Sequence, residues 1–141
     1  MGSSDVVSST TIEWVVGNDQ YNEASRTQLK LRRLVRLKRI VIGDDCFGKV
    51  RVFELDGLGE LESVVIGERS FRISYYVRND GSCRIVNCPK LKSIQIRQFS
   101  FDDYHSFELN NLPSLQSIDI GRECFQHVTS FSLTGLIDVL V

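Results

Sequence analysis

Phe107–Phe125 reads FELNNLPSLQSIDIGRECF. Its apolar residues are spaced F-x-L-x-x-L-x-x-L-x-x-I-x-I-G-x-x-C-F, and this pattern returns along nearly the whole chain. Alignment on I-x-I-G and the aromatic four residues beyond it gives five copies. They are Thr11–Gly17 with Tyr21, Leu37–Gly43 with Cys46-Phe47, Leu61–Gly67 with Ser70-Phe71, Leu91–Arg97 with Ser100-Phe101, and Leu115–Gly121 with Cys124-Phe125. Starts at 11, 37, 61, 91 and 115 give spacings of 26, 24, 30 and 24. The period is therefore 24, with two extra residues near Asn22–Thr27 and six near Tyr75–Ser82. In the fourth copy Arg97 stands where the glycine is expected.

Each I-x-I segment alternates with period two and is rich in branched residues, which marks a strand. The following glycine is expected to permit a tight bend. A second apolar patch then follows in every copy, as Leu29-Leu31-Leu34, Phe53-Leu55-Leu58, Cys83-Ile85-Cys88, Phe107-Leu109-Leu112 and Phe131-Leu133-Leu136. It reads as a strand or extended turn on the opposite side of a coil. One copy cannot bury its own apolar face, so the copies must stack as a parallel solenoid, with rungs roughly 4.8 Å apart. Charge supplies an independent register. Stacking aligns Lys38, Glu62 and Lys92 in one column and Lys30, Glu54, Arg84 and Glu108 in another. Both alternate in sign, and a one-residue slip would destroy both.

The remaining composition narrows the function classes. Seventeen basic and 18 acidic residues leave a net charge of −1, which supplies no field for nucleic acid or an anionic membrane. No apolar run is long enough to span a bilayer. MGSSDVVSSTT lacks the basic and apolar regions of a signal peptide and is a poor myristoylation signal. The expectation is a cytoplasmic chain with residues 1–10 disordered or tag-like and residues 11–141 forming one solenoid domain.

The L-x-x-L-x-x-I-x-I pattern at this period resembles the leucine-rich repeat. The trailing I-G-x-x-[CS]-F followed by F-x-L is most similar to the short BspA-type repeats, whose signature carries I-G-x-x-A-F. The resemblance covers about residues 11–136 and is weakest in the first copy, where Trp14 and Tyr21 replace Ile and Phe. It implies a mainly β, right-handed parallel β-solenoid of leucine-rich-repeat type, of about five rungs with two short strands or extended segments each. No helix-period segment occurs opposite the I-x-I strands. The family implies a binding platform and no particular ligand.

Residues that invite chemistry fall on repeat positions. Cys46 and Cys124 share a slot with Ser70 and Ser100, while Cys83 and Cys88 stand where Phe107 and Leu112 stand. Packed free thiols fit these slots, and no C-x-x-C pair suggests a metal site. Hence no cofactor and no metal are expected. His105 and His127 are placed at the bend after an aromatic, 22 residues apart, with Asp102 and Asp103 as the carboxylates nearest in sequence. A solvated bend is favoured there over a catalytic pair. The insertion ISYYVRNDGSCRIV carries Asn79-Asp80-Gly81 turn chemistry. Its Tyr75, Tyr76 and Arg78 are residue types common in binding hot spots, although a tolerated loop whose tyrosines cover the neighbouring rung is favoured over a binding loop.

On the main strand face Val15, Val41, Val65, Gln95 and Asp119 should point outward, beside Glu13, Arg39, Ser63, Ser93 and Ser117. The three valines form an apolar stripe of the kind that marks a contact surface, or merely suit an exposed strand. After the fifth copy, Ile137, Val139 and Val141 fall where another rung begins, so self-association or continuation of the array is expected there. The leading expectation is a non-enzymatic scaffold for a protein partner. The second is a self-assembling repeat protein that stacks through its terminal rungs. A β-helix enzyme acting on polysaccharide needs clustered carboxylates, and the outward columns carry only scattered ones such as Glu13 and Asp119.

Overall fold

The computed structural model describes residues 6–73 and 81–136. Among the described residues ten strands form two five-stranded parallel sheets, and the chain alternates between them. The first sheet holds β1 (Glu13–Val16), β3 (Arg39–Ile42), β5 (Ser63–Ile66), β7 (Ser93–Ile96) and β9 (Ser117–Ile120), in that spatial order. The second holds β2 (Gln28–Arg32), β4 (Val52–Asp56), β6 (Gly81–Val86), β8 (Tyr104–Leu112) and β10 (Ser130–Leu136). This is a β-solenoid of five rungs. The described residues contain no helix, and so none long and apolar enough to cross a membrane.

The register is the one the repeats dictate. Val15, Val41, Val65, Gln95 and Asp119 pair in succession across the first sheet. Lys30, Glu54, Arg84 and Glu108 pair in succession across the second. The second patch of each copy is therefore a strand, and it is longer than the four-residue I-x-I strand in every rung. In the charge column Arg32, two residues beyond Lys30, is the partner that reaches Glu54: its Nε donates to Oε1 at 3.1 Å.

The chain bends through backbone that L-residues rarely adopt. Among the described residues every positive φ falls in one of three columns. Asp19, Asp45, Arg69, Phe99 and Glu123 form the first, and Tyr21, Phe47, Phe71, Phe101 and Phe125 the second. The third is Arg33, Gly57, Asn87, Asn111 and Gly135, which directly follow β2, β4 and β6 and stand one residue before the ends of β8 and β10. The I-x-I-G glycine was expected to supply the bend, but it is absent from all three columns. It is needed for a different reason, the close approach of rungs. A Cβ on Gly67 would lie 2.5 Å from the carbonyl of Gly43, and one on Gly121 would lie 2.6 Å from the amide nitrogen of Gln98. On Gly17, which has no rung before it, a Cβ would meet nothing within 4 Å. Nothing in the structure explains how Arg97 is accommodated at this position.

A left-handed phenylalanine costs roughly 1–2 kcal/mol, whereas burying its side chain returns about 1.5–3 kcal/mol. The rings also stack as a continuous column inside the core. Tyr21, Phe47, Phe71, Phe101 and Phe125 follow one another at 5.0, 5.0, 4.7 and 5.0 Å between centroids, nearly parallel throughout. Tyr104 closes on Phe101 edge-on at 4.8 Å, and its hydroxyl donates to the carbonyl of Val50. Complete burial pushes its pKa well up.

Before each of the four phenylalanines of this column lies a cysteine or serine that repairs the backbone at the bend. Ser70 Oγ donates to the Gly43 carbonyl at 2.7 Å and Ser100 Oγ to that of Gly67 at 2.6 Å. Cys46 and Cys124 donate through sulfur to Gly17 and Arg97, each at 3.0 Å. The serine oxygens also accept amides from the preceding rung, Cys46 N–H to Ser70 and Ser70 N–H to Ser100, both at 3.1 Å. A small side chain with one donor is what this slot requires.

Val7 is 3% exposed and belongs to the core cluster, with Val6 packed against it. Folded structure therefore precedes the boundary expected at residue 11. Residues 74–80 and 137–141 lie outside the described residues, and with them Tyr75, Tyr76, Arg78, Ile137, Val139 and Val141.

Candidate functional site

The two outer faces of the solenoid differ in how far their side chains satisfy one another. On the second sheet, Arg84 Nη1 donates to Glu54 Oε2 at 2.9 Å and Arg84 Nε to Glu108 Oε1 at 2.7 Å. With Arg32 at the other side of Glu54, this makes a continuous ion ladder. Burial raises the Glu54 pKa, but the hydrogen bonds from Arg32 and Arg84 outweigh it, leaving the carboxyl below its ordinary value. The outward column of the first sheet has no such ladder among the described residues. Val15 is 60% exposed, Asp119 is exposed, and Val41, Val65 and Gln95 are half-buried. Exposure along the three valines thus falls after the first of them.

Beyond the strands the bend carries its own polar chain. Asn18 Oδ1 accepts the Asp44 amide and Asp44 Oδ1 the Glu68 amide, each at 2.8 Å. Gln98 continues it, donating to Glu68 at 3.3 Å and accepting from Arg122 Nε at 3.1 Å. Beside it Arg69 grips Asp45 with two bonds of 2.9 Å. Those hydrogen bonds lower the Asp45 pKa.

Three departures from the repeat fall together on the fourth rung. Gln95 replaces valine, Arg97 replaces glycine, and Phe99 replaces the polar residue of the first left-handed column. Phe99 is half-buried outside the core, with the Arg72 and Arg122 guanidinium carbons 5.8 and 5.9 Å from its ring centroid. A shallow depression adjoins it, lined by Glu68, Gln95, Arg97, Gln98, Asp119 and Arg122. An aromatic ring flanked by cations, with amides and a carboxylate within reach, has the make-up of an interface hot spot. Sequence reasoning found Gln95 and Asp119 but missed Phe99 and Arg97. The signal was present, because both residues break the column in which they stand.

The groups that invite catalysis are differently placed. His105 lies within β8 rather than on a bend, and its ring stacks on that of His127 at 6.4 Å. His127 Nε2 is 3.4 Å from Asp103 Oδ1, and Asp103 is buried. Asp102 instead accepts from Gln126 at 2.8 Å and lies 3.6 Å from Arg72. Burial raises the pKa of all four thiols, that of Cys88 to about 11, which disfavours the reactive thiolate. Among the described residues no group of three or more His, Cys, Asp or Glu is arranged to hold a metal ion. No family model, curated protein or solved structure matches the chain.

Proposed function

We propose that this solenoid is a non-enzymatic scaffold of leucine-rich-repeat type that holds a protein partner on the outer face of its first sheet. The partner's footprint runs over Val15, Val41, Val65, Gln95 and Asp119 and reaches Arg97 and Phe99; Tyr75, Tyr76 and Arg78, which lie outside the described residues, are proposed as contacts from the sequence alone. The observation that carries this reading is the clustering of Gln95, Arg97 and Phe99, three departures on one rung beside one depression. A rigid parallel stack displays such residues with little ordering cost on binding. In the three inner rungs every apolar position of the motif is buried, which is the packing that the leucine-rich-repeat reading calls for.

The test is affinity capture with the intact chain as bait. Arg97→Gly restores the repeat's own residue, and Phe99→Ser removes the ring. Each is expected to release a partner that Val35→Ser, altering an exposed residue between β2 and β3, retains. Replacing Tyr75 and Tyr76 by serine examines the loop in the same way. A partner held equally by all these variants would place its site elsewhere.

A second reading, self-assembly through the terminal rungs, is favoured by one observation. Phe131 and Leu133 of β10 are 58% and 41% exposed although they occupy core positions of the repeat.

A further inference from the structure

Residues 24–43 carry seven of the 17 basic residues and none of the 18 acidic ones, leaving ten basic against 18 acidic residues in the rest of the chain. The near-neutral total therefore conceals a strongly basic turn between β2 and β3 in an otherwise acidic chain. This turn stands in a column of like turns, each closed by one backbone hydrogen bond. Thr11 donates to Ser8, Leu37 to Leu34, Leu61 to Leu58, Leu91 to Cys88 and Leu115 to Leu112. The basic turn has a neighbour on either side, so its exposure does not depend on an end of the chain.

Three of its residues depart from their counterparts in the later turns. Arg33 has a φ of 59°, a left-handed backbone that suits Gly57, Asn87, Asn111 and Gly135 but not arginine. Val35 stands where the later turns have Gly59, Pro89 and Pro113. At 69% it is the most exposed large apolar side chain among the described residues. Arg36 stands where they have Glu60, Lys90 and Ser114. The carboxylates of the next rung are engaged elsewhere. Glu60 accepts two bonds from Lys90, at 3.1 and 2.9 Å, and Asp56 accepts from Asn87 at 3.0 Å. Glu54 is shared between Arg32 and Arg84. Arg33 and Arg36 are exposed and make no ion pair among the described residues, nor does Lys38 beside them.

Backbone strain kept at an exposed position points to a ligand. We infer that this turn is a second binding site, where Arg33 and Arg36 take the carboxylates of a short acidic segment of a protein and Val35 meets an apolar residue between them. Guanidinium groups suit carboxylates because they can donate two parallel bonds. The segment is short because Asp56, Glu60 and Glu62 of the next rung stand beside the turn. A nucleic-acid strand or a membrane plane reaching past it would meet their repulsion. The site is separate from the outer face of the first sheet, and its ligand is held independently.

Fluorescence anisotropy of a labelled peptide, Glu-Glu-Leu-Glu-Glu, titrated with the full chain tests it. Binding is expected, and it should weaken as sodium chloride is added. The disrupting variants borrow residues from the later turns, which the fold accommodates there. Arg33→Gly combined with Arg36→Ser is expected to raise the dissociation constant roughly tenfold, and Val35→Gly to raise it by a smaller factor. Arg33→Gly alone should leave resistance to urea equal or greater, because it relieves the left-handed backbone; this separates lost binding from lost folding. Arg97→Gly, which alters the outer face of the first sheet, should leave the peptide's affinity unchanged. A peptide that does not bind, or that the paired variant holds as tightly as the wild type, would overturn the proposal. So would phosphatidylserine vesicles or a single-stranded oligonucleotide held more tightly than the peptide through the same two arginines.

Discussion

At the scale of single residues, the conspicuous letters of the repeat solve problems of backbone approach. Gly67 lies against the Gly43 carbonyl, so Gly67→Ala should destabilise the fold by roughly 1–3 kcal/mol through overpacking. Gly17→Ala, where a Cβ meets open space, should shift it by less than about 1 kcal/mol. Urea unfolding of the two variants checks this, and equal losses would refute the close-approach account. The sequence marked this glycine for a bend, whereas its role is the close approach of rungs. Arg33 apart, the third left-handed column was legible, since Asn87, Asn111, Gly57 and Gly135 are the residue types that tolerate positive φ. The phenylalanine column was not. Phenylalanine has no preference for that backbone, and Phe47, Phe71, Phe101 and Phe125 are held there by stacking and burial that exist only once the rungs are assembled.

At the scale of strands, the alternating charges that revealed the register also tie stability to pH. The folded Glu54 carboxyl titrates below its ordinary value of 4.5, so the unfolded chain takes up the proton first and acid favours unfolding. The contribution is complete above about pH 4.5 and is lost as pH falls through the folded value. Glu54→Gln should therefore flatten the stability–pH curve below that point. It should also cost roughly 1 kcal/mol near neutrality, a modest loss because its arginine partners are substantially exposed to solvent. Denaturant midpoints between pH 3 and pH 7, wild type against variant, provide the measurement; parallel curves would mean that Glu54 does not report folding. Strand pairing was thus readable down to individual partners. What could not be read was which cation reaches Glu54, because Arg32 crosses to it from the neighbouring position by side-chain length alone.

At the scale of the whole molecule, the architecture follows from one unit repeated with small changes, whereas the candidate site follows from the exceptions. That asymmetry explains why the fold was largely legible and the site only in part. Periodicity averages over five copies, but Gln95, Arg97 and Phe99 occur once each, and their meeting beside Asp119 and Arg122 depends on the stack. The sign alternation carries a further consequence, because it gives the number of rungs a parity. Duplicating Leu91–Ser114 would add one rung and set Lys92 beside a second Lys92 and Glu108 beside a second Glu108. Duplicating Leu61–Ser114 would add two and keep every neighbour opposite in sign. Each like-charge neighbour costs roughly 0.2–1 kcal/mol and is screened by salt. The one-rung insertion should accordingly gain stability from added sodium chloride relative to the two-rung insertion, as read from thermal unfolding. Judged by charge, this chain grows in pairs of rungs, and its lengths fall into even and odd classes that the 24-residue spacing does not distinguish.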